Sequence, residues 1–146
     1  MAKDLYIERL RAVPLFARLS KKELGMLLRQ ADHLRFPARY EVVKAGTQGE
    51  EFWLVAEGKL SVHRGGKQVA TIGPGDFFGE LAVIDPAPRD ATVVTETPAE
   101  LLVVGRQRFW ALVEEVHPLS RKLMIAMAQR LRESDAATSG KAAKKA

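Results

Sequence analysis

The sequence predicts a mainly β fold flanked by helices, and three observations support this fold class. Short β-rich runs alternate with Gly and Pro from about Asp32 to Gly105, a pattern typical of an all-β sandwich or barrel. Before and after this segment, apolar residues recur at helical spacing. The 146 residues are 47% hydrophobic and 28% charged, which suits one globular domain of about 100–200 residues.

The first 35 residues are predicted to be helical. Pro14 ends a first amphipathic segment, since proline stops a helix. Ser20-Lys-Lys-Glu23 is a capping-box pattern, in which the Ser hydroxyl and the Glu carboxylate each accept from a backbone amide. The apolar positions of the two helices are Leu5, Ile7, Leu10 and Val13, followed by Leu24, Leu27, Leu28 and Ala31.

Six β-rich runs are predicted in the central segment. Gly65-Gly66 lies between Val62 and Val69 and predicts a hairpin turn there. The predicted strands are Glu41–Lys44, Phe52–Ala56, Lys59–Arg64, Gln68–Ile72, Ala91–Glu96 and Ala99–Val104.

Residues 106–133 are predicted to return to helix, with a break at Pro118. The apolar stripe of the longer, second helix covers a core or forms a dimer seam. Residues 1–134 are expected to form one domain. Residues 135–146 are polar and of low complexity, and we expect them to be disordered.

Charge is divided unevenly along the chain, whose formal net charge is +5. Residues 1–40 contain nine basic and four acidic side chains, whereas residues 41–104 contain five basic and ten acidic ones. One continuous basic face for nucleic acid is therefore not predicted.

Several classes of protein are disfavoured by the composition. The chain has no cysteine, which excludes thiol catalysis and iron–sulfur ligation. His33, His63 and His117 are dispersed, so no metal site is expected. The longest apolar run, Leu123–Ala128, is too short to cross a membrane. The N-terminus resembles no signal peptide, and the expected location is the cytoplasm.

The segment GPGDFFGELAVIDPAPRDATVV, residues 73–94, is predicted to bind an anion. Gly79 permits a tight turn, and Glu80–Ile84 can form a short helix whose first N–H groups face an anion. Arg89 can bind a phosphate through two hydrogen bonds. Ionised Glu80 only accepts hydrogen bonds, so it suits a sugar hydroxyl beside the phosphate. Together these groups describe a nucleotide-sized ligand.

The same segment resembles the phosphate-binding cassette of the cyclic nucleotide-binding domain family. The matching motifs are Phe78-Gly79-Glu80-Leu81-Ala82 and Pro88-Arg89-Asp90-Ala91-Thr92-Val93. We call residues 73–94 the cassette. The resemblance extends over nearly the whole chain, through the residues Val13–Phe16, Leu19-Ser20, Gly46, Phe52, Val55, Gly58, Val62, Pro118 and Met127–Leu131.

The resemblance implies a double-stranded β-helix, or jelly-roll barrel, with N-terminal helices, a C-terminal hinge and a lid helix. The ligand implied is cAMP, with cGMP as the alternative, and no metal. Glu80 would accept from the ribose 2′-hydroxyl and Arg89 would pair with the phosphate. The ligand-binding positions implied are Gly79, Glu80, Leu81, Ala82, Arg89, Asp90 and Ala91. Arg130 and Ser134 lie where the lid helix can reach the ligand, or else are exposed helix side chains.

Asp90 departs from the better-known members, which have Ala, Ser or Thr after the arginine. A second carboxylate beside the phosphate would repel it. Three arrangements avoid this repulsion: the side chain points to solvent, it pairs with a cation such as Arg130, or it accepts from the amino edge of guanine. We favour the first.

The predicted function is a regulatory sensor that binds a cyclic nucleotide and moves its C-terminal helix, and it is not an enzyme. The alternatives are a ligand-free interaction scaffold and the sensor fragment of a larger regulator. About a dozen low-complexity residues follow Glu133, too few for a recognition helix, so no sequence-specific DNA binding is expected. No membrane binding is expected either, since the apolar runs are short. The expected partners are the nucleotide, a second copy through the C-terminal helix, and a downstream protein.

Overall fold

A computed structural model of the chain describes residues 2–140. The helices are α1 (Ala2–Arg11), α2 (Lys21–Arg29), α3 (Arg106–Glu115) and α4 (His117–Gly140), with 3-10 helices at Pro14–Phe16 and Glu80–Val83. The strands are β1 (Asp32–Phe36), β2 (Glu41–Val43), β3 (Gln48–Gly49), β4 (Glu51–Glu57), β5 (Leu60–Arg64), β6 (Lys67–Ile72), β7 (Phe77–Phe78), β8 (Ala87–Pro88), β9 (Thr92–Thr95) and β10 (Ala99–Gly105).

The described residues form two compact units. The β unit is Arg29–Trp110, and the helical unit combines the residues up to Leu28 with those from Ala111 onward. The β unit contains two four-stranded antiparallel sheets, in the orders β1-β10-β4-β7 and β2-β9-β5-β6, and the short pair β3-β8. Both four-stranded sheets contribute to one hydrophobic core, which contains Trp53, Val55, Leu60, Val93, Ala99, Leu101 and Val103.

All six predicted strands are confirmed within one or two residues. The predicted extent of the N-terminal helices, the first 35 residues, was wrong: it was too long, because β1 begins at Asp32. This strand pairs only with β10, at the edge of its sheet, and exposes four of its five residues. An edge strand of this kind lacks the apolar alternation that identifies a half-buried strand. The two-residue strands β3, β7 and β8 were also missed.

The predicted hairpin connects β5 to β6. Gly65 and Gly66 both have positive φ angles, 61° and 82°, as a two-residue type I′ turn requires. Arg64, the last residue of β5, therefore lies opposite Lys67, the first residue of β6.

The capping box of α2 in the helical unit is confirmed. The Ser20 amide donates to Glu23 Oε1 (2.8 Å) and the Glu23 amide donates to Ser20 Oγ (3.1 Å). Lys122 Nζ on α4 also donates to Glu23 Oε1, at 2.8 Å. Burial raises the pKa of Glu23, but the hydrogen bonds from Lys122 and Ser20 outweigh it and leave the pKa below its ordinary value.

The two C-terminal helices meet at Val116, which confirms the predicted break beside Pro118. Leu119, Leu123 and Ala126 of α4 are buried, whereas Met124 and Leu131 are exposed. The helical backbone continues to Gly140, into the segment 135–146 for which composition predicted disorder. Residues 141–146 of that segment lie outside the described residues. Within the described part of the chain, no helix has the length and hydropathy needed to cross a bilayer.

Candidate functional site

The short helix predicted in the cassette is present as the 3-10 helix Glu80–Val83. Gly79 precedes it with φ 79° and ψ 17°, in the left-handed region that glycine adopts without strain. The Ala82 amide donates to the Gly79 carbonyl oxygen at 3.0 Å, which closes the first turn. Glu80 is 7% exposed, so the helix places this carboxylate inside the β unit.

Arg89 is held in place by its own backbone. Its amide donates to the Thr47 carbonyl oxygen and its carbonyl oxygen accepts from the Gly46 amide, both at 2.8 Å. These bonds continue the β3–β8 pairing, in which Gly49 is opposite Ala87. The backbone of Gly46 and Thr47, just before β3, therefore fixes the position of the Arg89 backbone, from which the side chain extends.

The Arg89 side chain is 10% exposed and forms an ion pair with Glu51 at the start of β4. Arg89 Nη2 donates to the Glu51 carbonyl oxygen at 3.0 Å and to Glu51 Oε1 at 3.1 Å. Sequence reasoning did not select Glu51. The acidic pair Glu50-Glu51 was visible, but nothing in the sequence indicates that it meets an arginine 38 positions later.

Two glycines allow the Arg89 guanidinium to lie against the backbone. A Cβ added to Gly79 would come within 2.6 Å of Arg89 Nη1, and one added to Gly49 within 2.6 Å of Arg89 Cζ. Heavy atoms this close overlap, so an alanine at either position would force the neighbouring atoms to move. The structure thus brings the two cassette motifs together, because Gly79 of the first motif packs on Arg89 of the second.

The remaining cassette positions differ in exposure. Leu81 is 46% exposed and Ala91 is 8% exposed. The Asp90 side chain is 70% exposed, and its Oδ2 lies 3.6 Å from Nη2 of Arg64 on β5. Asp90 therefore points largely to solvent, the arrangement we favoured, and it also pairs with a cation. That cation is Arg64, whereas sequence reasoning had named Arg130.

The two predicted lid residues lie on α4 in the helical unit. Arg130 is half-buried, and the side chain of Ser134 lies outside the described residues. Their contact with a ligand stays a prediction.

Two of the three histidines have polar partners. His33 Nδ1 lies 3.6 Å from Glu100 Oε2, and His63 Nε2 shares a hydrogen bond with Ser61 Oγ at 2.8 Å. The side chain of His117 lies outside the described residues. Among the side chains that the structure does describe, no three of the His, Asp and Glu residues are arranged to hold a metal ion.

Comparison with known proteins identifies the family. The family model described as "Cyclic nucleotide-binding domain" matches residues 33–116. The chain belongs to the cyclic nucleotide-binding domain family. This match includes both cassette motifs, and it confirms the family resemblance on which the site prediction depended.

Curated relatives of this domain include receptors and regulatory subunits. The chain is 32% identical over 127 residues to the "Cyclic AMP receptor protein" of Thermus thermophilus, covering 84% of this chain and 59% of that protein. It is 32% identical over 120 residues to the "cAMP-dependent protein kinase regulatory subunit" of Pyricularia oryzae, covering 81% of this chain and 31% of that one. The chain therefore spans about a third to three fifths of these relatives.

A solved structure supports the fold class. The N-terminal domain of a transcriptional regulator from Streptomyces coelicolor A3(2) superposes with a TM-score of 0.82 at 30% identity, covering 88% of this chain and 93% of that one. The predicted fold class, mainly β with flanking helices and of the jelly-roll type, is confirmed.

Proposed function

We propose that this cyclic nucleotide-binding domain is a regulatory sensor that binds cAMP reversibly, in preference to cGMP. The observation that supports it most directly is the position of Arg89, which is 10% exposed and lies against Gly79 at the start of the Glu80–Val83 helix. A guanidinium has only donors and pairs well with phosphate oxygens. Burying one is costly unless an anion compensates it.

The proposed roles divide the nucleotide between two side chains and the backbone. Arg89 binds the cyclic phosphate, and Glu80 accepts from the ribose 2′-hydroxyl. The amides of Leu81, Asp90 and Ala91 add donors, while that of Ala82 is shared with the Gly79 carbonyl oxygen. The preference for cAMP is supported by the relatives, whose names specify cyclic AMP.

The proposed mechanism is binding without covalent change. The ligand shifts an equilibrium between positions of α4, and it does so only to the extent that it binds one position more tightly. Arg130 and Ser134 are the proposed lid contacts. Because the chain has no cysteine, labels on the variant pair Lys67→Cys and Arg132→Cys can follow the distance between β6 and α4. We expect cAMP to change that distance distribution, and an unchanged distribution would contradict the relay.

The proposed partners go beyond the nucleotide. The exposed residues of α4 support a homodimer, and a downstream protein would receive the signal. We propose that this chain itself binds neither specific DNA sequences nor membranes. The expectation of a cytoplasmic location stays a prediction.

A second candidate, a ligand-free interaction scaffold, is favoured by one observation. Glu51 already supplies Arg89 with a carboxylate at 3.1 Å, so the buried guanidinium is compensated without a phosphate. The two candidates differ in whether a phosphate also binds to Arg89.

Thermal unfolding with and without cAMP and cGMP separates the two candidates. A ligand at 100 times its Kd stabilises the folded state by about 2.7 kcal/mol. The sensor predicts a rise in the unfolding temperature that increases with cAMP concentration and is smaller with cGMP. An unchanged unfolding temperature with both nucleotides would favour the scaffold.

A further inference from the structure

Trp53 lies on the core-facing side of β4, close to the candidate site. Side chains alternate between the two faces of a strand, so Trp53 shares a face of β4 with Glu51 and Val55. Trp53 and Val55 belong to the hydrophobic core, whereas Glu51 forms the ion pair with Arg89. One face of β4 therefore joins the core to the candidate site.

The Trp53 ring stacks on Phe78, the last residue of β7. The two residues are directly opposite each other in the β4–β7 pairing. Their rings are nearly parallel, with centroids 6.0 Å apart and 12° between the planes, an arrangement that is favourable for aromatic pairs. Phe36 on β1 is a second aromatic neighbour of the indole, with ring centroids 6.1 Å apart.

Strand β7 is short and lies at the edge of its sheet. It consists of Phe77 and Phe78, and β4 is its only neighbour among the described strands. A pairing of two residues has few backbone hydrogen bonds, so side-chain packing contributes to where the strand lies. Phe77 contacts Phe52, with ring centroids 6.3 Å apart, and Phe78 contacts Trp53 on the core side.

Gly79 follows Phe78 directly and packs on two parts of the site. A Cβ on Gly79 would collide with the Glu51 carbonyl oxygen and would lie 2.6 Å from Arg89 Nη1. A small shift of Phe78 would therefore change the contact between Gly79 and Arg89. The same Glu51 carbonyl oxygen accepts from Arg89 Nη2 at 3.0 Å. Strand β4 thus orients Arg89 through Glu51 and holds Gly79 through the stack of Trp53 on Phe78.

The indole of Trp53 contributes through its ring and not through its N–H group. Its Nε1 atom is buried, and no group in the part of the chain that the structure describes accepts a hydrogen bond from it. A buried donor without an acceptor is costly. Trp53→Phe would remove this donor and keep an aromatic ring for the stack, so it tests the ring alone.

We propose that Trp53 is a positioning residue of the nucleotide site, because its stack on Phe78 holds Gly79 against the Arg89 guanidinium. Its effect on nucleotide affinity rests on the proposed function, whereas its effect on the position of Arg89 does not. The packing around a binding group must hold that group to within about 0.5 Å. Trp53 supplies this packing from the core side.

Titration calorimetry with cAMP measures the effect on affinity. Trp53→Leu removes the aromatic ring and should lower the affinity about tenfold. Trp53→Phe keeps a ring and should stay within about twofold of wild type. The matched control is Leu101→Ala, which opens a cavity in the same core on β10, a strand that β4 separates from β7. It should lower the stability in urea and leave the affinity unchanged.

Phe78→Leu removes the same stack from the cassette side. Because the two rings act as one contact, the affinity losses of Trp53→Leu and Phe78→Leu should not add, and the double variant should bind about as weakly as either single variant. Additive losses would overturn the shared role. If circular dichroism shows that Trp53→Leu does not fold, Phe78→Leu must produce the same loss of affinity on its own.

An NMR measurement without nucleotide keeps this inference separate from the proposed function. The Nε–H signal of Arg89, assigned by its absence in Arg89→Lys, should move in Trp53→Leu and stay in place in Leu101→Ala. If folded Trp53→Leu keeps the signal and the affinity of wild type, the positioning role is overturned while the proposed function stands. An equal loss of affinity in Leu101→Ala would also overturn it. If wild type binds no cAMP but the signal moves only in Trp53→Leu, the proposed function fails and the positioning of Arg89 stands.

Discussion

Arg89 Nη2 donates hydrogen bonds to two oxygens of Glu51, the carbonyl oxygen at 3.0 Å and Oε1 at 3.1 Å. The two acceptors have different consequences for a phosphate. The carbonyl oxygen orients the guanidinium without carrying a charge. The carboxylate neutralises it and competes with any anion that approaches.

We therefore expect Glu51→Gln to bind cyclic nucleotides more tightly than wild type. The carbonyl oxygen that orients Arg89 is retained while the competing charge is removed. The gain should be about twofold to fivefold, because Glu51 is 44% exposed and an exposed ion pair contributes up to about 1 kcal/mol. It should shrink as salt is added.

The matched control is Glu57→Gln, which removes an exposed carboxylate at the other end of β4. Its affinity for cAMP should equal that of wild type in titration calorimetry. Weaker binding by Glu51→Gln would contradict the competition and show that the carboxylate is needed to position Arg89.

Gly79→Ala should abolish most nucleotide binding. The new Cβ would collide with the Glu51 carbonyl oxygen and would lie 2.6 Å from Arg89 Nη1, so both the start of β4 and the guanidinium must move. The left-handed backbone at position 79 also costs about 1 kcal/mol of stability for a residue that has a Cβ atom. Gly66→Ala is the control, since Gly66 has a similar φ of 82° but nothing within 4 Å of an added Cβ. Both variants should lose stability in denaturant unfolding, but only Gly79→Ala should lose affinity, by tenfold or more. Equal affinities of Gly79→Ala and Gly66→Ala for cAMP would contradict the proposed importance of the contact between Gly79 and Arg89.

The capping carboxylate of α2 should make stability depend on pH. The folded state lowers the pKa of Glu23, so its stabilisation is present in full above the ordinary pKa and is lost as pH falls through the folded-state pKa. At neutral pH, Glu23→Gln should reduce the free energy of unfolding by about 1–2 kcal/mol. The difference from wild type should close in acid.

Urea unfolding at pH 7 and at successively lower pH values measures this difference. Glu114→Gln is the control, since Glu114 is an exposed residue of α3, and its stability should follow that of wild type at every pH. A Glu23→Gln deficit that persisted below the pKa of the folded protein would show that packing, and not charge, is responsible.

The exposed face of α4 should mediate self-association. Met124 is 70% exposed and Leu131 is 65% exposed, and their spacing of seven positions is one heptad of a coiled-coil seam. Wild type should sediment as a dimer at micromolar concentrations, and Met124→Glu with Leu131→Glu should sediment as a monomer. Leu5→Glu, at the 47% exposed position on α1, should remain dimeric. A monomeric wild type would rule out this interface.

The central strands were predictable because apolar residues alternate between turn residues, as in β4 and β5. The edge strand β1 was not, since Asp32, His33, Leu34 and Arg35 are all exposed and form no burial pattern. The positions of Gly79 and Arg89 followed from the motifs. The pairing of Arg89 with Glu51 and that of Asp90 with Arg64 did not, because these contacts depend on pairings between distant strands that leave no local signal in the sequence.

Titration calorimetry of cAMP into wild type, Arg89→Leu and Glu80→Gln tests the central claim most directly. The account predicts saturable one-site binding to wild type. Arg89→Leu should lose the phosphate contact and show no measurable binding, while Glu80→Gln, which cannot accept as well from the ribose hydroxyl, should bind at least tenfold more weakly. Wild-type affinity in both folded variants would contradict the assignment of Arg89 and Glu80 to the nucleotide site.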